Sequence, residues 1–138
     1  MVKELNGREL VGFIKERQAH LVQMLRSNRK RAKLVIVRDS DNPVIAKYVG
    51  LKCQYGEDIG VEVVDLKVEP TAEALKQAVQ GANEDKTVSG IIVQLPLVNS
   101  EITEEVLSEI VPEKDVDGLS GKGDFDSATA TAINWLLT

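Results

Sequence analysis

Lys33-Leu34-Val35-Ile36-Val37 is an apolar, β-branched run closed by the polar stretch Arg38-Asp39-Ser40-Asp41-Asn42-Pro43. A run without polar alternation suits a strand covered on both faces. Pro43 fits the first position of a following helix, where a missing N–H has no intrahelical partner to lose. From there the pattern alternates. A helix is expected from Pro43 to about Asp58, stopped by Gly60, then a strand over 61–68. Pro70 and Thr71 open a second helix with Ala74, Leu75, Ala78, Val79 and Ala82 at helical spacing, and a third strand covers 88–94 (VSGIIVQ). Strand, helix, strand, helix, strand within about 60 residues predicts right-handed crossovers in an α/β domain of three layers, α-β-α, with a mainly parallel sheet flanked by helices.

Outward from this centre, residues 7–27 carry Leu10, Val11, Ile14, Leu21, Val22 and Leu25 at helical spacing. Asn6 and Glu9 match a capping box at the start of that helix. With a later helix over 103–110, it is expected to cover the sheet. The stretch 26–33 (RSNRKRAK) places five positive charges where the first helix ends, favourable against its dipole and read as a solvated face. Residues 112–126 are polar and Gly-rich, long enough for a functional loop. A last helix over 128–137 ends on Trp135-Leu136-Leu137-Thr138 without a glycine or a basic last turn, so the chain is expected to be cut at a domain boundary.

The composition excludes several classes of function. The 138 residues suffice for one compact domain, and 17 Lys plus Arg against 22 Asp plus Glu give a net charge of −5. Neither a nucleic-acid footprint nor a polybasic membrane anchor follows from that balance. No apolar run approaches the roughly 20 residues that cross a bilayer, and the amino terminus lacks a signal-peptide core, so the cytoplasm is the expected compartment. One cysteine, Cys53, and one histidine, His20, exclude an internal disulfide and a zinc cluster. A small-molecule partner is expected.

In an open parallel sheet the ligand crevice lies beyond the carboxyl ends of the strands. That edge carries residues 38–42 and Gln94-Leu95-Pro96-Leu97. Tyr48 and Lys52, four apart on the helix after the first strand, share a face with Ile45 and Tyr55. Partial burial there would disfavour the lysine's charged form and supply a proton-transfer group near neutral pH; an exposed lysine beside a core tyrosine fits the spacing as well. Gln94 ends an otherwise apolar strand, as a site amide or as a turn residue. Three D-x-D pairs, Asp39/Asp41, Asp115/Asp117 and Asp124/Asp126, lie in turns, where aspartates more often bond their own backbone than a metal. No metal is expected. Gly121-Lys122-Gly123 fits neither nucleotide-binding glycine motif, so no dinucleotide site is expected in this chain.

Three stretches together are more specific. Tyr48-Val49-Gly50-Leu51-Lys52 followed by Gly60, Gly90-Ile91-Ile92-Val93-Gln94-Leu95-Pro96-Leu97, and Pro112-Glu113-Lys114-Asp115-Val116-Asp117-Gly118 stand in this order. In motif, order and spacing the chain resembles the amino-terminal catalytic domain of the methylenetetrahydrofolate dehydrogenase/methenyltetrahydrofolate cyclohydrolase family. The resemblance covers almost the whole chain. It implies a folate-binding catalytic domain over 1–138, a tetrahydrofolate derivative as substrate and NADP bound by a carboxy-terminal domain outside this sequence. It also implies a homodimer of the full-length enzyme and a place in one-carbon metabolism that feeds purine biosynthesis.

By the same resemblance Lys52 is the central catalytic group, Gln94 positions and tunes it, and Tyr48 packs against the pterin and aminobenzoyl part of folate. Asp117 binds the pterin ring, and Leu95, Pro96 and Gly118 complete the substrate-binding residues. The chain departs from the family after Gly118. Only Leu119 to Asp124 precede a stretch, Phe125-Asp126-Ser127-Ala128-Thr129-Ala130-Thr131-Ala132, that keeps the threonine of the family's F-x-P-C-T-P-x-G motif and lacks its cysteine, prolines and last glycine. The shortened loop leaves one alternative function, a folate-binding or regulatory module without catalysis.

Overall fold

The computed structural model describes residues 6–137. Along the chain run α1 (Gly7–Ser27), β1 (Lys33–Arg38), α2 (Pro43–Ile59), β2 (Glu62–Lys67), α3 (Ala72–Glu84), β3 (Gly90–Val93), α4 (Thr103–Ser108) and α5 (Ala128–Leu137), with 3-10 turns at Ser100–Ile102 and Pro112–Lys114. The strands form one parallel sheet in the order β2-β1-β3. Val35 aligns with Val64 on one side and with Ile91 on the other, so β1 is central. Val35, Ile36 and Val37 are all buried, as an apolar run without alternation requires.

The chain steps from β1 to β2 through α2, then back across β1 to β3 through α3. Right-handed crossovers in opposite directions place these two helices on opposite faces of the sheet. The apolar clusters follow that division. Val35 and Val37 pack with Leu75, Val79, Val106 and Ile110, whereas Ile36 packs with Ile45 and Val49 of α2. Alternate residues of one strand thus feed two cores, which gives the three expected layers.

The helix boundaries have local causes. The side chain of Asn42 accepts from Val44 N at 2.9 Å and that of Thr71 from Ala74 N at 3.1 Å, each satisfying a first-turn amide. Gly60, at φ 86°, ends α2 in the left-handed conformation that a glycine adopts without steric penalty. At α1 Asn6 Oδ1 accepts from Arg8 N and Glu9 N, but no return bond from Glu9 closes the box among the described residues. Among these residues no helix is long and apolar enough to cross a membrane.

Three expectations are corrected. Ordered β3 spans Gly90–Val93, shorter than 88–94, because Val88 N turns back to Asp85 O. The helix expected over 103–110 is α4, which ends at Ser108. The first helix covers α2 in place of the sheet. Tyr55 Oη donates to Gln18 Oε1 at 2.5 Å, Lys15 pairs with Asp58, and Arg26 Nη2 donates to Gly60 O at 2.7 Å. Because α2 already occupies that face, Val22 is buried while Val11, Phe13, Leu21, Met24 and Leu25 stay exposed.

Urea unfolding checks this arrangement. Ile36→Ala removes a fully buried side chain and should cost about 2–5 kcal/mol. Leu21→Ala, on the exposed face of α1, should change stability by about 0.5 kcal/mol or less.

Candidate active site

The strand order reverses between β1 and β3, and such a reversal opens a crevice at the carboxyl ends of the strands. Two side chains meet there. Lys52 comes from the third turn of α2 and Gln94 from the residue after β3, and Lys52 Nζ donates to Gln94 Oε1 at 2.7 Å with both groups half-buried. The position of each is set by its backbone. Ile45 and Val49 sink into the core and leave Lys52, three residues further, at the crevice edge of the helix. Gln94 N extends the β-ladder by donating to Val37 O at 2.8 Å. The amide's other end donates from Nε2 to Leu95 O at 3.2 Å, which fixes the orientation of the amide oxygen toward Lys52.

The face that Ile45, Tyr48, Lys52 and Tyr55 share on α2 is divided by packing. Ile45 enters the core, Tyr55 turns to α1 with the Lys15 ammonium 5.1 Å from its ring centre, and Tyr48 remains 55% exposed. Burial raises the Tyr55 phenol above its ordinary value, against the opposing pull of Lys15. Tyr48 is left with a free ring one turn before Lys52. Cys53 packs beside Ile36, Ile45 and Val49, and desolvation pushes its thiol up, as for a packing residue.

The loop after Gln94 is held by a residue whose role no sequence pattern revealed. Leu95–Pro96 is a cis peptide, Leu97 is buried, and the next amide, Val98 N, donates to Asp39 Oδ2 at 3.0 Å. Asp39 is 4% exposed, so the carboxylate at the end of β1 is committed to this loop. The neighbouring Asp41 belongs to a separate brace. It pairs with Arg38 and Lys67, while Arg38 Nε donates to Asp65 Oδ1 at 2.7 Å. Lys67 first, then Arg38, holds the Asp41 carboxyl below its ordinary range.

The motif at 112–118 is fastened at several points. Lys114 Nζ donates to Ala82 O, Asn83 O and Asp85 O at 2.9, 2.8 and 2.8 Å, so it caps the carbonyl end of α3. Asp115 is fully buried, forms a parallel bridge with Ile91 of β3 and accepts from the Ser120 backbone N at 3.1 Å and from the Ser120 hydroxyl. Its Oδ1 has no partner among the described residues. The parallel bridge sends the chain on in the direction of β3, toward the crevice end. Asp117 is half-buried without a hydrogen bond to any described residue, and Gly118 follows at φ 67°. No hydrogen bond links Tyr48 or Asp117 to the Lys52–Gln94 pair. Pro96 is exposed and Leu95 half-buried beside the amide.

Among the described residues no three His, Cys, Asp or Glu side chains are grouped to hold a metal ion. Nor does the β1–α2 turn suit a dinucleotide. It carries the carboxylates of Asp39 and Asp41, Pro43 lacks an amide, and Asn42 already occupies Val44 N, so no free cradle of N–H groups faces a pyrophosphate.

Fold and site together define an open-sheet α/β domain with a lysine–amide pair at its switch crevice. Residues 5–117 match the model of the tetrahydrofolate dehydrogenase/cyclohydrolase catalytic domain. The chain is 38% identical over 117 residues to the bifunctional protein FolD of Rickettsia bellii, covering 83% of this chain and 41% of that protein. It superposes with a TM-score of 0.90 and 28% identity on the FolD methylenetetrahydrofolate dehydrogenase/cyclohydrolase of Campylobacter jejuni, covering 96% of this chain and 51% of that one. With the Trypanosoma brucei methylenetetrahydrofolate dehydrogenase-cyclohydrolase, a structure solved with NADP and an inhibitor, the TM-score is 0.77 at 30% identity, over 83% and 40% of the two chains. The chain belongs to the tetrahydrofolate dehydrogenase/cyclohydrolase catalytic-domain family, and it spans about half or less of the length of these relatives.

Two substitutions test the supports of the site. Asp39→Ala strands the Val98 amide and should cost about 1–3 kcal/mol, with faster hydrogen exchange at Val98 than in Asp39→Asn, which keeps a carbonyl acceptor. Asp41 has a folded pKa below its unfolded value of about 3.9, so its pairing contributes fully above that value and fades as pH falls through the folded one. The difference in Tm between wild type and Asp41→Asn should therefore be present near neutral pH and shrink toward zero in acid.

Proposed function

We propose that residues 1–138 form the folate-side catalytic domain of an enzyme that oxidises methylenetetrahydrofolate to methenyltetrahydrofolate and hydrolyses the latter to formyltetrahydrofolate. The observation that carries this is the Lys52–Gln94 hydrogen bond, placed at the crevice where the strand order reverses. In the hydrolytic half, the bridge carbon of the substrate shares a positive charge with two nitrogens. Water adds to that carbon and loses a proton, the carbon–nitrogen bond breaks as the new hydroxyl gives up its proton to become the formyl C=O, and the released nitrogen gains a proton. The balance is one water consumed, one proton released and no oxidation. Lys52 relays protons between the adding water and the leaving nitrogen. Gln94, held through its own bond to Leu95 O, aims the amine.

The substrate's flat rings are given matching surfaces. Tyr48 offers an exposed ring one helical turn from Lys52, and Asp117 offers a carboxylate free to accept paired N–H bonds from the pterin. Leu95, Pro96 and Gly118 are assigned to the substrate-binding surface with them. The oxidative half would need an acceptor for a hydride from the bridge carbon, which NADP would supply when bound. Because the β1–α2 turn is unsuited to a dinucleotide, NADP binding falls to the part of the relatives that this chain does not cover. A homodimer of the longer enzyme, a cytoplasmic location and a contribution to purine biosynthesis complete the proposal.

The test uses the 138-residue protein with methenyltetrahydrofolate, followed by loss of the methenyl chromophore. Hydrolysis above the buffer rate is expected, with about 100-fold or greater loss in Lys52→Met, the scale of a removed general acid–base group. Asp117→Asn should chiefly raise KM. Folate binding without any enzyme-dependent hydrolysis would favour the non-catalytic module and overturn the catalytic assignment.

A further inference from the structure

Positive charge gathers at the opposite end of the sheet from Gln94. Arg26 lies in the last turn of α1, and Arg29, Lys30 and Arg31 fill the connection to the amino end of β1. Arg26, Arg29 and Arg31, with Ala32, Gly60 and Glu62, line a concavity of about 630 Å3. One guanidinium is anchored by a single donor, since Arg26 Nη2 bonds Gly60 O at 2.7 Å. Among the described residues no carboxylate lies within 4.0 Å of Arg29, Lys30 or Arg31 to pair with them. Glu62 offsets one of the three lining arginines and leaves the concavity cationic in a protein of net charge −5.

The backbone supplies an independent observation. Arg29 is held at φ 61° by the bonds that close α1, Arg29 N to Arg26 O at 2.9 Å and Lys30 N to Leu25 O at 2.8 Å. This is the position after a helix where glycine sits without steric penalty, and a side chain there costs stability. A guanidinium is thus kept, at a strained position, on the rim of a concavity that two others already line.

We propose that the Arg26–Arg29–Arg31 concavity binds a small oligophosphate, either free or as the phosphate tail of a nucleotide. Arginine forks bind phosphate oxygens in pairs, and three of them around one hollow suit a chain of linked phosphates better than a single ion. No aromatic side chain lines the hollow to stack a base, and the acidic remainder of the surface repels a long polyanion, which favours a compact ligand over a nucleic acid.

Calorimetric titration of the full 138-residue protein at physiological salt with tripolyphosphate, ATP and orthophosphate tests this. Saturable one-to-one binding of tripolyphosphate is expected, at least tenfold tighter than orthophosphate. Equal affinity for ATP assigns recognition to the phosphates alone, and tighter ATP binding assigns it to a nucleotide. Arg29→Gly combined with Arg31→Gln should weaken binding at least tenfold, whereas Lys52→Met should leave it unchanged, which separates this site from the folate assignment. Arg29→Gly alone should raise Tm in the absence of ligand while weakening binding. That pairing of opposite signs is not expected of a surface residue without a ligand. Absence of saturable binding, wild-type affinity in the double variant, loss in Lys52→Met, or tighter binding of an oligonucleotide that grows with its length each overturns the proposal.

Discussion

The hydrogen bond from Lys52 Nζ to Gln94 Oε1 ties a helix to the end of a strand 42 residues away, and its geometry is inherited from the core. α2 is seated by Ile45 and Val49 against Ile36, and β3 is registered on β1 from Gly90 to Val93. A helix rotates about 100° per residue, so a slip of one position in the seating of α2 would carry the lysine away from the amide. A slip of one residue in β3 would turn Gln94 to the other face of the sheet. The Lys52–Gln94 contact at the crevice therefore rests on aliphatic packing elsewhere in the core.

The loops on either side of the pair are held by ionisable side chains that answer backbone groups. Asp39 takes the Val98 amide, Lys114 takes three carbonyls at the end of α3, and Asp115 takes the Ser120 amide and hydroxyl. α3 lacks a glycine at its end, its cap Asp85 being extended, so the Lys114 ammonium performs the capping that a left-handed residue otherwise provides. Charge-assisted bonds of this kind are short and directional, and they fix loop backbones more firmly than apolar contact does. The segments carrying Gln94 and Asp117 are each held at a point within four residues of the side chain in question, while Asp117 itself stays unbonded to the described residues.

Most of the fold was legible because its causes are local. The apolar run at 33–37, the proline opening α2, the threonine opening α3 and the glycine closing α2 act within a few residues of themselves. The site was legible only in part. Spacing put Tyr48 and Lys52 on one face but could not show that Tyr55 leaves that face for α1, because Gln18 lies 37 residues away. Nor could it join Lys52 to Gln94, a pairing that came from the family resemblance and that the geometry then displays. The support residues Asp39, Lys114 and Asp115 were hidden for the same reason: their partners are close in space and, except for Ser120, distant in sequence. Periodicity misled at α1, since it reports an apolar stripe without saying what covers it.

The region after Asp117 shows how the chain accommodates its short loop. The family match ends at Asp117, and the following segment doubles back so that Gly118 lies against the backbone of Phe125 and Asp126. Gly118 is at φ 67°, and a Cβ there would overlap the Phe125 carbonyl, so both conformation and space demand glycine. The tight return has its own consequence, that Phe125 stays 53% exposed. Asp117 is anchored upstream by the bridge of Asp115 to Ile91 and the hold of Lys114 on α3, and Ser120 of the loop ties back to the same Asp115. The loop beyond Gly118 is therefore coupled, through Ser120 and Asp115, to the segment that carries Asp117.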